Sequence, residues 1–344
     1  MLLRKKLQLI TCLGVFFAII LVFPVDTFAE ESIQSVEHES GLYYSIQKGD
    51  TLWDLSKRFS DSPWLWPSLW KENNQIPNPH RIYPGERIRL YHQGGIESII
   101  IKSAVEESQE EEPQKEPPYY YYSLIERIGF IKKESVAACG SIFKVKDNKD
   151  MISDGDLVYI KQMGNTSLVP GSKYFTYRTI DEIEDEKTGE LIGTQYYMTG
   201  IIEVTKKGPD FVLAAVVQSF RTIEVNNFLM PYKQRSPKIT IVESKPGLNG
   251  KIVAAEEQQV ISGDNSIAFI DKGSKDGIAS GQWYSIYYQK EKRIDSKTRK
   301  QVLLPPVVYG TLLVLHAEQT ASTVLITGSE KSVELEAQIC TPFQ

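Results

Sequence analysis

Apolar and polar positions alternate along residues 42–47, the pattern of a short, half-buried strand. Lys48-Gly49-Asp50-Thr51 breaks the alternation. Gly49 suits a positive φ there, and Asp50 or Thr51 can accept the free N–H groups of a following helix. Leu52, Leu55 and Phe59 then recur at i, i+3 and i+7, one apolar stripe that predicts that helix. Ser62-Pro63 signals a second helix start, but a proline at 67 would remove a backbone hydrogen bond inside it. The second helix therefore starts either at Ser62-Pro63 or at Pro67 after a separate turn. Leu65 and Leu69, and Trp66 and Trp70, are spaced for one helical face. Tyr83-Pro84-Gly85 reads as a type II turn, and residues 87–91 as a closing strand. The order is strand, helix, helix, strand, bounded at 42–92.

The pattern changes after this module. Residues 104–118 are acidic and proline-bearing, with little to bury, and read as a solvated linker within 100–118. Four consecutive tyrosines, 119–122, begin a strand or cover a following β-domain; an aromatic docking patch is the alternative. From Gly140 onward the chain reads as duplicated. A shift of 110 residues carries Gly140 onto Gly250, Ile142 onto Ile252, Asp154 onto Asp264 and Ile160 onto Ile270. The same shift carries Gly171 onto Gly281, Tyr174 onto Tyr284, Tyr177 onto Tyr287, Lys187-Thr188 onto Lys297-Thr298, Gly200 onto Gly310 and Val204 onto Val314. VPGSKYFTYR and ASGQWYSIYY both read as a glycine turn entering an alternating strand, and FVLAAVVQS and STVLITGS as buried strands. The fold class expected is an α+β βααβ module followed by two β-rich domains, 119–235 and 245–344, each a small barrel or sandwich.

The 344 residues are enough for such an arrangement. Residues 1–29 read as an export signal: Arg4, Lys5 and Lys6, an apolar run over 7–23 broken by Pro24, then Thr27-Phe28-Ala29. The run is short for a membrane span and no basic stop-transfer cluster follows, which favours cleavage over retention as an anchor. Cleavage removes three positive charges and one negative, taking the formal charge from −5 to −7. That balance argues against nucleic acid or anionic lipid as the main partner. Cys139 and Cys340 then remain, either as buried free thiols or as a disulfide that an exported protein permits. They and the scattered His38, His80, His92 and His316 give no metal-ligand spacing. Asp271 to Gly277 invites a calcium-loop reading, but Gly273 and Lys275 stand where oxygen ligands are needed. No cofactor is expected.

YSIQKGDTLWDLSKRFSDSPWLWPSLWKENNQIPNPHRIYPGERIRL, residues 44–90, resembles a LysM domain. The resemblance implies binding of peptidoglycan glycan strands or other chains containing N-acetylglucosamine. The glycan would lie in a shallow groove between two loops. Carried onto this sequence, Gly49, Asp50, Thr51 and Leu52 match one wall, and Asn73, Gln75, Ile76, Tyr83, Pro84 and Gly85 the other. For Asn73 a structural role, closing the second helix or its loop, stands beside the binding role. Trp53, Trp64, Trp66 and Trp70 read mainly as core, with Trp53 the exception available for sugar stacking. FIDKGSKDGIASGQWYSIYY, residues 269–288, resembles the C-terminal domain of the flagellar assembly protein T family. Signal, LysM and such a domain together resemble the type IV pilus secretin-associated protein family. That resemblance implies a non-enzymatic periplasmic adaptor between the cell wall and an outer-membrane secretin. The alternatives are a LysM-targeted cell-wall hydrolase and a peptidoglycan-binding part of a flagellar basal body. Against the hydrolase, Cys139 lacks an obvious histidine partner, His316 being the one histidine after residue 92.

Overall fold

Strand β1 (Gly41–Ser45) turns at Gly49 into helix α1 (Leu52–Phe59), followed by a 3₁₀ turn, Pro63–Leu65, and helix α2 (Trp66–Lys71). In the computed structural model, which describes residues 40–60, 62–90, 116–147, 149, 151–164, 166–256, 261–293 and 301–342, these residues belong to one compact unit. The export signal at 1–29 and all but the last residues of the acidic linker lie outside the described residues. The strand, the α1 stripe and the separate turn ahead of the second helix agree with the sequence pattern. Ser62 caps the 3₁₀ turn, and α2 starts one residue before Pro67, where the missing N–H costs no hydrogen bond. Strand β2 (Arg87–Arg89) closes the module antiparallel to β1, with Tyr44 opposite Ile88.

The module does not end there. Strand β3 (Tyr119–Tyr121) pairs with the free edge of β1, placing Leu42 opposite Tyr120. The tyrosines do form a strand, but in the sheet of the N-terminal module and not in the first β-domain. A second 3₁₀ turn and β4 (Phe130–Lys132) follow, and then β5 (Gly140–Val145), β6 (Leu157–Gln162), β7 (Lys173–Glu184), β8 (Leu191–Lys207), β9 (Val212–Ser219) and β10 (Phe228–Pro231). Strand β11 (Lys238–Thr240) then returns to pair with β3, completing a four-stranded sheet in the order β11-β3-β1-β2.

Strands β5 to β10 close on themselves in the order β8-β7-β10-β5-β6-β9, with a β8–β9 pairing completing the ring and β4 attached to β8. The remaining strands are β12 (Asn249–Ala255), β13 (Ile261–Ser262), β14 (Ile267–Ile270), β15 (Trp283–Tyr288), β16 (Glu291–Arg293), β17 (Gln301–Leu303), β18 (Val307–Ala317), β19 (Ser322–Ser329), β20 (Val333–Glu334) and β21 (Gln338–Cys340). Six of them form a second closed barrel, β12-β14-β19-β18-β15-β21. Read strand for strand, the two rings have the same order. Strand β9 at 212–219 and β19 at 322–329 differ by the 110 residues already read from the sequence. Each barrel has an interior dominated by Ile, Val and Leu, and Cys139 and Cys340 are buried without forming a disulfide.

Two junctions join these parts. The first is apolar: Leu42, Tyr44, Leu52, Leu55 and Phe59 share one continuous core with Tyr120, Tyr122, Ile239 and Ile241 and with Trp283, Leu313 and Leu325 of the second barrel. The second lies between the barrels. Glu256, 4% exposed, accepts the Gly129 N–H at 2.6 Å and holds Arg221 at 2.8 Å as an ion contact rather than an aligned hydrogen bond. A Cβ on Gly129 would stand 2.3 Å from the Tyr196 carbonyl, so only glycine fits this approach. Thr323 donates to the Gly129 carbonyl, and Ile131, Ile192, Phe269 and Ala321 pack around the contact. The turn at Ser274–Asp276 is a 3₁₀ turn ending in Gly277 at φ 84°.

Burial pushes the Tyr120 and Tyr122 phenols up to about 12 each. In the unfolded chain a tyrosine ionises near 10. The stabilisation is therefore complete below pH 10 and is lost as pH rises from 10 toward 12. Melting temperature should fall more steeply above pH 10 in the natural protein than in a Tyr120→Phe/Tyr122→Phe variant. Equal alkaline slopes would contradict this account of the apolar junction.

Candidate functional site

The turn after β1 is built by Asp50. Its Oδ2 accepts the Gln47 N–H at 2.8 Å and the Tyr44 hydroxyl at 3.0 Å. Burial, and then the Asp50 charge, push the Tyr44 phenol well above its ordinary range. Gly49 stands at φ 94°, as the turn requires. Thr51 caps α1: its Oγ1 accepts the Asp54 N–H at 3.1 Å and donates to the Asp54 carboxylate at 2.6 Å. The amides of Leu52 and Trp53, in the first turn of the helix, have no intrahelical acceptor.

Opposite that helix start runs the loop of residues 77–82. Between the two lies an open groove of about 320 Å³, lined by Asp50, Thr51, Leu52, Trp53, Trp66, Pro79, His80 and Ile82. Its lining is mostly apolar, with one carboxylate, one hydroxyl and one imidazole. The Trp66 and His80 rings are 6.1 Å apart. Trp53, 38% exposed, meets the edge of Trp64 at 4.6 Å, and Trp64 is 74% exposed. Such a trough suits a neutral ligand with apolar C–H faces and a ring of hydroxyl and amide groups.

Of the residues expected from sequence, Asp50, Thr51 and Leu52 line this groove, and Gly49 shapes its turn. Across this groove from the start of α1 stand Pro79, His80 and Ile82, whereas Asn73, Gln75, Ile76, Tyr83, Pro84 and Gly85 do not line it. Asn73 is fully buried. Its Nδ2 donates to the carbonyls of Leu69 and Arg89, and its Oδ1 accepts the Arg89 N–H at 2.7 Å and the Gln75 Nε2 at 3.1 Å. Asn73 therefore ties α2 to β2, the structural role weighed beside the binding one. Gln75 braces it and also reaches the Arg87 carbonyl, while Ile76 is core, 3% exposed. Tyr83, Pro84 and Gly85 form the expected turn, with Gly85 at φ 89° donating to the Ile46 carbonyl. His80 and Ile82 were not among the residues expected from sequence, although the long 77–82 loop was the available signal, and Trp66 was expected only as core. Trp64 is exposed where core packing was expected of most tryptophans, whereas Trp66 and Trp70 are partly buried against the core.

Residues 44–90 match the LysM domain family. This part of the chain is a LysM domain. A curated protein of Bacillus subtilis (strain 168), the uncharacterized protein YqbP, is 35% identical over 57 residues, 14% of this chain and 26% of that relative. The match thus spans about a quarter of the relative's length. A LysM domain points to binding of peptidoglycan or another carbohydrate, and the β-rich barrels follow it in the chain.

Replacing Asn73 by Ala removes the partners of two Arg89 backbone groups and one Leu69 carbonyl. Leaving buried polar groups unsatisfied costs about 1–3 kcal/mol each, so the LysM unit should lose about 2–4 kcal/mol in chemical denaturation. A loss below about 0.5 kcal/mol would show that Asn73 does not hold α2 to β2.

Proposed function

We propose that this chain is a non-enzymatic adaptor that grips peptidoglycan glycan strands and presents two β-barrels to a protein of the cell envelope. One observation carries the glycan reading: in a LysM domain, the N-terminus of α1 and the 79–82 loop enclose a trough lined by Trp53, Trp66 and Ile82. An N-acetyl group can place its carbonyl on the free amides at the helix start and its methyl against the apolar wall. The barrels support a binding rather than catalytic role. Cys139 packs inside the first barrel, and His316, on β18 of the second, is engaged by Glu318 at 3.1 Å. In the groove, the Asp50 carboxylate already serves the turn.

The finer reading places the protein in the periplasm, exported through residues 1–29, with an outer-membrane secretin of a type IV pilus machine as its partner. It rests on the order of signal, LysM and C-terminal domain. The common strand order of the two barrels supports reading them as copies of one unit. Recovery of the secretin after mild crosslinking in cells tests the partner; recovery of flagellar basal-body proteins instead would move the adaptor to that machine.

The glycan reading is tested by co-sedimentation with purified sacculi. Trp53 and His80 are exposed, so a Trp53→Ala/His80→Ala variant should melt like the natural protein yet bind at least about tenfold more weakly, a difference of about 1.4 kcal/mol. Unchanged binding by that variant would contradict the assignment of the groove.

A further inference from the structure

Trp64 contributes little to the core of the LysM domain. It is 74% exposed, whereas Trp66 and Trp70 are partly buried against that core. Single exposed apolar side chains are ordinary on a protein surface. Two features set this one apart. Its ring lies 4.6 Å from that of Trp53 with the planes 82° apart, and such an edge contact leaves a broad indole face open. Trp53 in turn lines the groove, which Trp64 does not. An aromatic surface therefore runs from the groove across Trp53 and onto Trp64.

The turn that carries Trp64 is firmly mounted. Pro63 fixes the backbone just ahead of it, and the Ser62 hydroxyl accepts the Trp64 N–H at 3.3 Å. Ser56, buried on α1, donates its hydroxyl to the Ser62 carbonyl at 2.9 Å. That bond fastens the turn to the helix bearing Trp53. The two elements are thus held together before any ligand arrives, which lowers the ordering cost of covering the rings.

The surroundings favour a sugar over a protein as the occupant. A stable protein interface takes about 20–30 residues a side. Here Leu65, 41% exposed, accompanies Trp64, while Asp54 and Lys57 of α1 and Ser68 of α2 are exposed polar side chains. An isolated indole among polar groups suits a pyranose, whose C–H face covers the ring while its hydroxyls stay in water. A glycan strand is a polymer, so a sugar seated in the groove carries its neighbours beyond the lining residues. We propose that Trp64 is a second sugar subsite outside the groove, stacking on a further residue of the same N-acetylglucosamine-containing strand, so that the domain selects long glycans over short ones. The subsite rests on the glycan reading of the groove and adds to it a length preference.

Titration of the ¹⁵N-labelled full-length protein and its Trp64→Ala variant with chitin disaccharide and chitin hexasaccharide tests this. The Thr51 amide reports the groove and the Trp64 indole N–H reports the subsite. The exposed ring can be removed without loss of folding, so the variant should melt like the natural protein. A longer oligomer offers more binding registers to both proteins, and the readout is therefore the ratio of their affinities at each length. That ratio should be near one for the disaccharide and about fivefold for the hexasaccharide, the scale of covering one face of an aromatic side chain. The Trp64 indole should shift with the hexasaccharide and stay still with the disaccharide. If the Thr51 signal moves but the substitution weakens both lengths equally, or neither, the groove stands and the subsite is overturned. A Trp64 indole that ignores the hexasaccharide, or that shifts with protein concentration alone through contact with a second copy, overturns it as well. If neither oligomer moves the Thr51 signal, the glycan reading itself fails and the subsite falls with it.

Discussion

The pairing of the tyrosine strand β3 with the edge of β1 is the constraint from which the rest of the architecture follows. An exposed edge strand leaves a row of backbone donors and acceptors open to the wrong partner. Here Tyr119–Tyr121 closes that edge on one side and receives β11 on the other. Tyr120 then turns its ring toward Trp283, 6.2 Å away in the second barrel. Backbone hydrogen bonds and aromatic burial therefore fix the glycan groove to the barrels. The groove is thus continuous with the second barrel through a hydrogen-bonded sheet and a shared apolar core.

How much of this was legible depended on the range of the interaction. The LysM unit is local, and its signals are local too: the Leu52, Leu55, Phe59 stripe, the Thr51 cap, and glycines at 49 and 85 with positive φ all read directly. Pro67 announced a broken helix start, and the structure has one. The roles within the groove were harder. Asn73 and Gln75 look like ligand-binding amides on paper, yet the backbone of residue 89, sixteen positions away, consumes Asn73. His80 and Ile82 carry no pattern of their own and gain meaning only when the 77–82 loop folds over α1. The destination of the four tyrosines was likewise hidden, because a strand pattern does not name its partner. The shared strand order of the barrels surfaced as a weak periodicity in glycines and tyrosines, since inward-facing positions accept many apolar side chains.

The groove of this LysM domain is shallow and rigidly mounted rather than a deep pocket. A shallow trough of about 320 Å³ offers one glycan segment a few apolar contacts and a handful of hydrogen-bonding groups. Several such grooves held in fixed register gain effective concentration for each further contact without any new interaction. Within one chain, the four-stranded sheet and the Glu256–Gly129–Arg221 junction hold the groove and the barrels in one fixed arrangement. Both junctions are buried, whereas the groove residues Trp53 and His80 are exposed.

The account is tested most directly by titrating a ¹⁵N-labelled full-length protein with a chitin oligomer and following amide and indole signals. It predicts that the amides of Thr51, Leu52, Trp53, His80 and Ile82 and the indoles of Trp53 and Trp66 shift together, in a saturable way. Asn73, the Tyr83 and Gly85 amides of the supporting turn, and the barrels should shift little. Saturating oligomer that leaves the Trp53 and Trp66 signals unmoved, or that moves the barrel signals instead, would contradict it.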